Sequence, residues 1–281
     1  MVCPEFTGDF CMTTYETLLI NKADNVGVIT LNRPAKRNAM NPTLHRDMTA
    51  ALEELRNDDA AKVIVITGAG DVFCAGMDLK EFFIALKGKP AEYEAVWKMA
   101  VEWRGRTLRY YPKPVIAMVN GFCFGGAFSI VEGCDLAFAA EDATFGLSEI
   151  NFKLFPGGCV SKSLANLLRP RDALYYGMSG DKFDGVEAAR IGFINKAFPK
   201  EKLVEETMAI ARKIAGKDPH ALRATKDGYH FSLEMTWEAA MNYSMAKELE
   251  LVQRQGDAFR KEGIQDFMDG KYKPGLESHP G

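Results

Sequence analysis

The stretch KPVIAMVNGFCFGGAFS, residues 113–129, decides how the rest of the chain is read. Behind Lys113-Pro114 comes an apolar, largely β-branched run at 115–119, which reads as a buried strand. It stops at Asn120-Gly121, passes through 122–124, and reaches Gly125-Gly126 and a second apolar run, 127–131, of the kind that opens a buried helix. Glycines at such an entrance allow a ligand carbonyl to approach the backbone closely. The first N–H groups of a helix have no partner within it and point outward. This is the geometry of an oxyanion site. The same glycines would also serve plain strand-to-helix packing, so the remainder of the chain has to decide between the two readings.

A chain of 281 residues can bury a sizeable core without disulfides. Its 47% hydrophobic and 26% charged content are those of a soluble globular protein. A net charge of −3 with no basic block gives no footprint for nucleic acid or an anionic membrane face. The six cysteines (Cys3, Cys11, Cys74, Cys123, Cys134, Cys159) are scattered and form no CxxC, so they read as reduced core thiols of a cytoplasmic protein. The four histidines (His45, His220, His230, His279) show no metal-pair spacing, and no metal site is expected. No apolar run approaches the ~20 residues of a membrane span. The acidic, hydrophobic start carries no basic leader, and residues 1–13 read as a disordered extension, with Met12 as an alternative start.

Along the chain, 16–20 and 27–31 read as a hairpin, followed by an amphipathic helix from Pro42 with Leu44, Met48, Ala51, Leu52 and Leu55 on one side. Residues 63–67 form the next buried strand and run into Gly68-Ala69-Gly70. Strand followed by Gly-x-Gly imitates a dinucleotide fingerprint, but Phe73 stands where the third glycine is required, so a Rossmann reading is rejected. A second helix entrance with free N–H groups lies near Met77. Residues 92–111 have helical spacing, 135–139 read as a strand, and TFGLSEI at 144–150 precedes a helix over 160–168. Strands alternating with helices argue for an α/β core over 14–199. The tail, 200–281, reads as helices whose apolar stripes, such as Leu203, Met208, Ile210, Ala211 and Ile214, are expected to pack on a partner subunit.

RPAKRNAM (33–40), ITGAGDVFCAGMDLKEF (66–82), KPVIAMVNGFCFGGAFS and FGLSEINF (145–152) together resemble the crotonase, or enoyl-CoA hydratase/isomerase, superfamily. Within it the wordings GMDLKE, NGxCFGG and FGLSEIN and the late KPGL are most similar to the hydroxycinnamoyl-CoA (feruloyl-CoA) hydratase-lyases. The resemblance implies a spiral of ββα units with a helical C-terminal region that assembles trimers or hexamers. It implies an acyl-CoA substrate, with no cofactor beyond the CoA moiety. It places the two oxyanion N–H groups at Met77 and Gly126, the general acid/base at Glu149, and Ser129 where ordinary hydratases carry a further glutamate. Lys36 and the backbone of Ala75, Gly76, Asp78, Leu79 and Lys80 match regions that hold CoA, and Gly125 completes the oxyanion turn.

The chemistry is that of water addition to an α,β-unsaturated thioester, which puts negative charge on the thioester oxygen. Glu149 would carry the proton, its pKa raised by the apolar neighbours Phe145, Leu147, Ile150 and Phe152. The same group and the same oxyanion site would suffice for cleavage of the Cα–Cβ bond to acetyl-CoA and an aromatic aldehyde. The chain departs from the resemblance at the acyl end. Phe82 and Met245 stand where phenol-binding tyrosines are expected, Phe152 replaces a tryptophan, and Lys153 replaces a glycine; Tyr243 lies two residues from Met245. A hydratase or isomerase that does not cleave a C–C bond, and a silent scaffold or RNA-binding protein of the same fold, are the competing readings. The intact Glu149 and the acidic balance weigh against the last.

Overall fold

Each pair of short apolar runs in this chain places one strand in a large sheet and the next in a small one. The computed structural model describes residues 11–256 and 258–271. β4 (Val63–Gly68), β6 (Val115–Val119) and β8 (Leu136–Ala140) lie parallel in the large sheet. Their successors β5 (Val72–Cys74), β7 (Phe122–Phe124) and β9 (Thr144–Gly146) lie parallel in the small one. The large sheet is completed by β1 (Cys11–Thr14), β2 (Leu18–Ala23) and β3 (Val26–Leu31) at one edge and β11 (Lys196–Phe198) at the other. β10 (Lys182–Asp184) closes the small sheet, antiparallel to β9. This repeated large-to-small step is the ββα spiral that the motifs imply.

Helices connect the repeats: α1 (Pro42–Arg56), α2 (Pro90–Val101), α3 (Phe128–Gly133), α4 (Val160–Leu167), α5 (Pro170–Ser179) and α6 (Gly185–Arg190). α3 is buried at every position, the polar Ser129 and Glu132 included. Beneath it Phe128 stacks on Phe193 at 4.6 Å and Phe145 on Phe183 at 5.4 Å, which fixes the floor under the 144–150 segment.

Several expectations change. The opening hairpin turns at Asp24-Asn25, both left-handed, rather than over 21–25, because both residue types tolerate positive φ. Residues 11–13, read as part of a disordered extension, lie in β1, which pairs antiparallel with the free edge of β2. Residues 1–10 and the KPGL segment lie outside the described residues. The helix expected over 92–111 gives way after Val101 to a wider turn at Glu102–Thr107. Residues 169–198, little read from sequence, hold α5, β10, α6 and β11.

The chain divides into two compact units, the first ending at Gly216 and the second beginning at Lys217. α7 (Leu203–Ala215), grouped with the tail in the sequence, belongs to the first. Its stripe of Leu203, Met208 and Ala211 is buried in this chain's own core, with Ile210 and Ile214 packed against it. The expected partner subunit is therefore not what covers this helix; the large sheet is. The second unit pairs α8 (Pro219–Ser232) with α9 (Trp237–Gln255) and ends in α10 (Gln265–Met268). Among the described residues no helix is long and apolar enough to cross a membrane.

RPAKRNAM acts as a lock. Asn38, fully buried with φ 53°, donates to the carbonyls of Ala69 (3.0 Å) and Val72 (2.7 Å) and accepts from Arg33 N–H (2.9 Å). Arg33 pairs with Asp78 at 3.0 Å and Glu81 at 2.7 Å. Met40 accepts from Asp78 N–H and donates to the Gly76 carbonyl. The 76–78 segment is thereby pinned from one side. Asn38→Ala is expected to lower unfolding free energy by about 2–3 kcal/mol, since it strands buried carbonyls. Urea denaturation checks this, and an unchanged midpoint contradicts the lock.

Candidate active site

Because β5 and β7 are parallel neighbours, with Cys74 opposite Cys123, their exits emerge side by side. Gly76, at φ 89°, follows one and Gly125, at φ 52°, follows the other. A Cβ at Gly76 would stand 2.7 Å from the Phe124 carbonyl oxygen and 3.4 Å from Gly126 N, so only glycine allows the two segments to approach this closely. Gly76 O and Asp78 N are spent on Met40, so by alternation along an extended segment the Met77 N–H faces the other way. Gly126 lies in the first turn of the short helix that leads into α3, where N–H groups lack internal partners. The two sequence-derived donors are thus brought together.

Glu149 arrives from a third direction, on the helical turn Ser148–Phe152 that follows β9, parallel to β7. A Cβ at Gly125 would lie 3.0 Å from Glu149 Oε1, which places the carboxylate against the oxyanion turn. Oε2 is buried with no hydrogen-bond partner. Burial raises the Glu149 pKa above 4.5, and its own backbone N–H opposes this only in part. A buried carboxylate oxygen without a donor is costly in a resting structure, and it is what an acid/base awaiting a substrate proton requires. Of the neighbours expected to desolvate it, Phe145 and Leu147 are core residues, whereas Ile150 and Phe152 are exposed.

These groups share a cavity of about 590 Å³. Met77, Gly126, Glu149, Ala75, Gly76, Leu79, Gly125 and Phe152 line it, as the sequence suggests. Other expected residues do not. Ser129 is fully buried behind Gly126, where its hydroxyl donates to the Gly126 carbonyl at 2.8 Å, so its proton is committed to the backbone. Asp78 caps the following turn, accepting from the N–H groups of Lys80 and Glu81; burial works to raise its pKa, but the Glu81 N–H and Arg33 outweigh it and hold the carboxyl below the usual range. Lys36 and Lys80 are exposed and off the wall, and Arg37 lines the cavity in place of Lys36. Phe82 is fully buried in the core behind the wall, edge-on to Phe83 at 4.9 Å and 5.1 Å from the Tyr93 ring. Lys153 adopts φ 59° at the end of the Glu149 turn, a conformation that accounts for the glycine expected there.

Tyr243 and Met245 lie on α9 in the second unit. Tyr243 packs on Phe231 at 5.6 Å with Lys247 Nζ 5.7 Å from its ring centroid, and Met245 is exposed. Cys74, Cys123 and Cys134 are buried, with the first two thiols pushed upward by burial, but Cys159 is exposed, contrary to a uniform core reading. His45 is buried and neutral, its pKa lowered to about 3 by desolvation, and accepts from Trp103 Nε1–H at 3.0 Å. Among the described residues no group of three or more His, Cys, Asp or Glu could hold a metal ion.

Sequence reading missed Phe83, Tyr93, Trp97 and Arg104, all on the cavity wall. Tyr93, Trp97 and Arg104 fall on one face of the helical run, at steps of four and seven, with Tyr93 stacked on Trp97 at 6.1 Å and 13°. An arginine in an otherwise aromatic stripe was the available signal.

The enoyl-CoA hydratase/isomerase family matches residues 21–278 of the chain. A hydroxycinnamoyl-CoA hydratase-lyase of Pseudomonas fluorescens is 45% identical over 276 residues, covering 95% of this chain and 99% of that protein. A probable enoyl-CoA hydratase of Rhizobium meliloti is 34% identical over 82% of this chain and 87% of that protein. Among solved structures, an enoyl-CoA hydratase of Geobacillus kaustophilus superimposes with a TM-score of 0.85 at 26% identity, covering 95% of this chain and 98% of that one. The family match over residues 21–278 and the 45% identical relative show that the chain belongs to the enoyl-CoA hydratase/isomerase, or crotonase, family.

Proposed function

We propose that the protein is a hydratase-lyase that adds water to an aromatic enoyl-CoA of the hydroxycinnamoyl or feruloyl type and cleaves the product to acetyl-CoA and an aromatic aldehyde such as vanillin. The observation that carries this reading is the single carboxylate, Glu149, standing with a free oxygen against the turn that presents the Gly126 N–H. In the first step Glu149 takes a proton from water as oxygen bonds to the β-carbon, and the π electrons move onto the thioester oxygen between the Met77 and Gly126 N–H groups. The proton then passes to the α-carbon. In the second step Glu149 removes the proton of the β-hydroxyl, the Cα–Cβ electrons return to the same oxygen, and the aldehyde leaves. Protonation of the enolate at the α-carbon gives acetyl-CoA. Bonds form and break without any net gain or loss of electrons, so the reading requires no redox cofactor.

The aromatic acyl group is supported by the wall of Phe83, Tyr93, Trp97 and Phe155, and by the likeness to the Pseudomonas fluorescens protein. Arg37 and Lys182 bring cationic groups to the same cavity, suited to the phosphates of CoA. A second reading, an enoyl-CoA hydratase or isomerase without C–C cleavage, is favoured by one observation: Phe82, at a position expected to bind a phenol, is sealed in the core.

Incubation of the purified protein with feruloyl-CoA separates the two. Loss of the enoyl chromophore with stoichiometric vanillin and acetyl-CoA, abolished in Glu149→Ala, is expected; chromophore loss that stops at the 3-hydroxyacyl thioester establishes the second reading instead. A further outcome follows from the raised Glu149 pKa. The catalytic base must be ionised, so activity is expected to fall with decreasing pH at a value above the ordinary range of a glutamate. The unfolded chain releases this proton at lower pH than the folded one, so folding stability falls as pH rises through the interval between the two pKa values. Glu149→Gln is therefore expected to be inactive yet more heat-stable at pH 7, with the difference vanishing below about pH 4. A variant that melts below the parent at pH 7 contradicts the desolvated carboxylate.

A further inference from the structure

Arg104 is only 2% exposed and lines the catalytic cavity. Among the described residues it forms no ion pair with a carboxylate, and the ionisable groups that bear on it are the thiols of Cys74 and Cys159. Instead Nε donates to the Ala100 carbonyl at 2.8 Å, and Nη1 to the Gly126 carbonyl at 2.8 Å and to Ser129 Oγ at 3.1 Å. Burial lowers its pKa to about 10, which leaves it cationic at neutral pH. A buried guanidinium without a counter-charge is expensive.

Its location supplies the reason. A Cβ at Gly126 would meet Arg104 Nη1 at 2.8 Å and Met77 Cγ at 3.4 Å, so the guanidinium borders the point where the two oxyanion segments meet. Nη2 reaches toward Gly158 on the opposite rim, 3.7 Å from where a Cβ there would be. Ser129 keeps the charge uncompensated. A carboxylate at that position would sit within ion-pair distance of Nη1 and neutralise it, whereas the hydroxyl accepts from the guanidinium and passes its own hydrogen to Gly126 O.

We propose that Arg104 is the cationic component of the oxyanion site: its fixed positive charge beside Gly126 stabilises the enolate oxygen that develops at the Met77 and Gly126 N–H groups. It acts through the field and through the Gly126 carbonyl it holds, and is a positioning and electrostatic residue rather than a proton carrier. The proposal rests on the reading of the cavity as an enoyl-thioester site, but not on which acyl group is used, since any such substrate places charge on the same oxygen.

The test compares Arg104→Lys, which keeps the charge, with Arg104→Gln, which keeps hydrogen-bonding capacity and loses it; Arg104→Met replaces the glutamine variant if that fails to fold. Each is placed in a Glu149→Gln background that halts turnover, and the red-shift of bound 4-hydroxycinnamoyl-CoA is recorded as a measure of carbonyl polarisation. The lysine variant is expected to retain most of the shift and the glutamine variant to lose about half of it or more, while the Kd for acetyl-CoA changes by less than about threefold. With Glu149 intact, kcat is expected to fall by about 10²-fold in Arg104→Gln and by less than about tenfold in Arg104→Lys. A full red-shift in the glutamine variant, or equal losses in both, makes Arg104 a structural bracket and overturns the proposal. Failure of the enoyl-thioester reading is visible separately, as absence of any bound shift in the Glu149→Gln protein that still carries Arg104.

Discussion

The close approach of two backbone turns is the constraint on which the rest of this structure depends. β5 and β7 run parallel, and the chain leaving each must pass within van der Waals reach of the other for the Met77 and Gly126 N–H groups to serve one oxygen. Gly76 permits it at φ 89°, and the buried Asn38, Arg33 and Met40 hold the 76–78 segment from behind. The RPAKRNAM segment therefore contributes to chemistry indirectly. Asn38 and Arg33 are spent on carbonyls and carboxylates that fix the 76–78 segment, Lys36 is exposed, and Arg37 lines the cavity.

Around this pair of donors the cavity holds two desolvated ionisable groups with opposite tasks. Burial pushes Glu149 toward its neutral form, which suits the proton transfers proposed for it. Burial also weakens Arg104, but not enough to discharge it. Both conditions cost stability, in keeping with the expectation that strain and unpaired polar groups collect where a protein works. Ser129 meets the Arg104 guanidinium with a neutral hydroxyl. A carboxylate there would pair with Arg104 and cancel the field at the oxyanion site.

Much of this was legible in the sequence, for physical reasons that differ by element. Apolar strands ending in Asn-Gly, Gly-Ala-Gly and Gly-Gly revealed the strand exits and both oxyanion turns, because glycine requirements are local. Glu149 was assigned by the resemblance of FGLSEINF to the family's motif, and its apolar neighbours pointed to the raised pKa. What escaped was decided by tertiary contact. Asp78 and Ser129 lie in the same motifs as Met77 and Gly126, yet they cap and brace backbone instead of reaching the cavity. Phe82 and Phe83 are adjacent, and only the fold determines that the first is core and the second is wall. Arg104 lay in a stretch read merely as helical. The α7 stripe looked like an interface because the sequence does not say which surface a helix covers, and here that surface is the chain's own sheet.

One carboxylate, Glu149, is proposed to serve both water addition and C–C cleavage. This dual role is tested most directly by supplying the 3-hydroxyacyl thioester of the feruloyl skeleton to the protein and to Glu149→Gln, and measuring single-turnover cleavage beside single-turnover hydration of feruloyl-CoA. Both rates are expected to fall together in the variant, each by about 10²–10⁴-fold. Cleavage continuing at the original rate while hydration is lost would show that another group removes the hydroxyl proton, and would contradict the dual role.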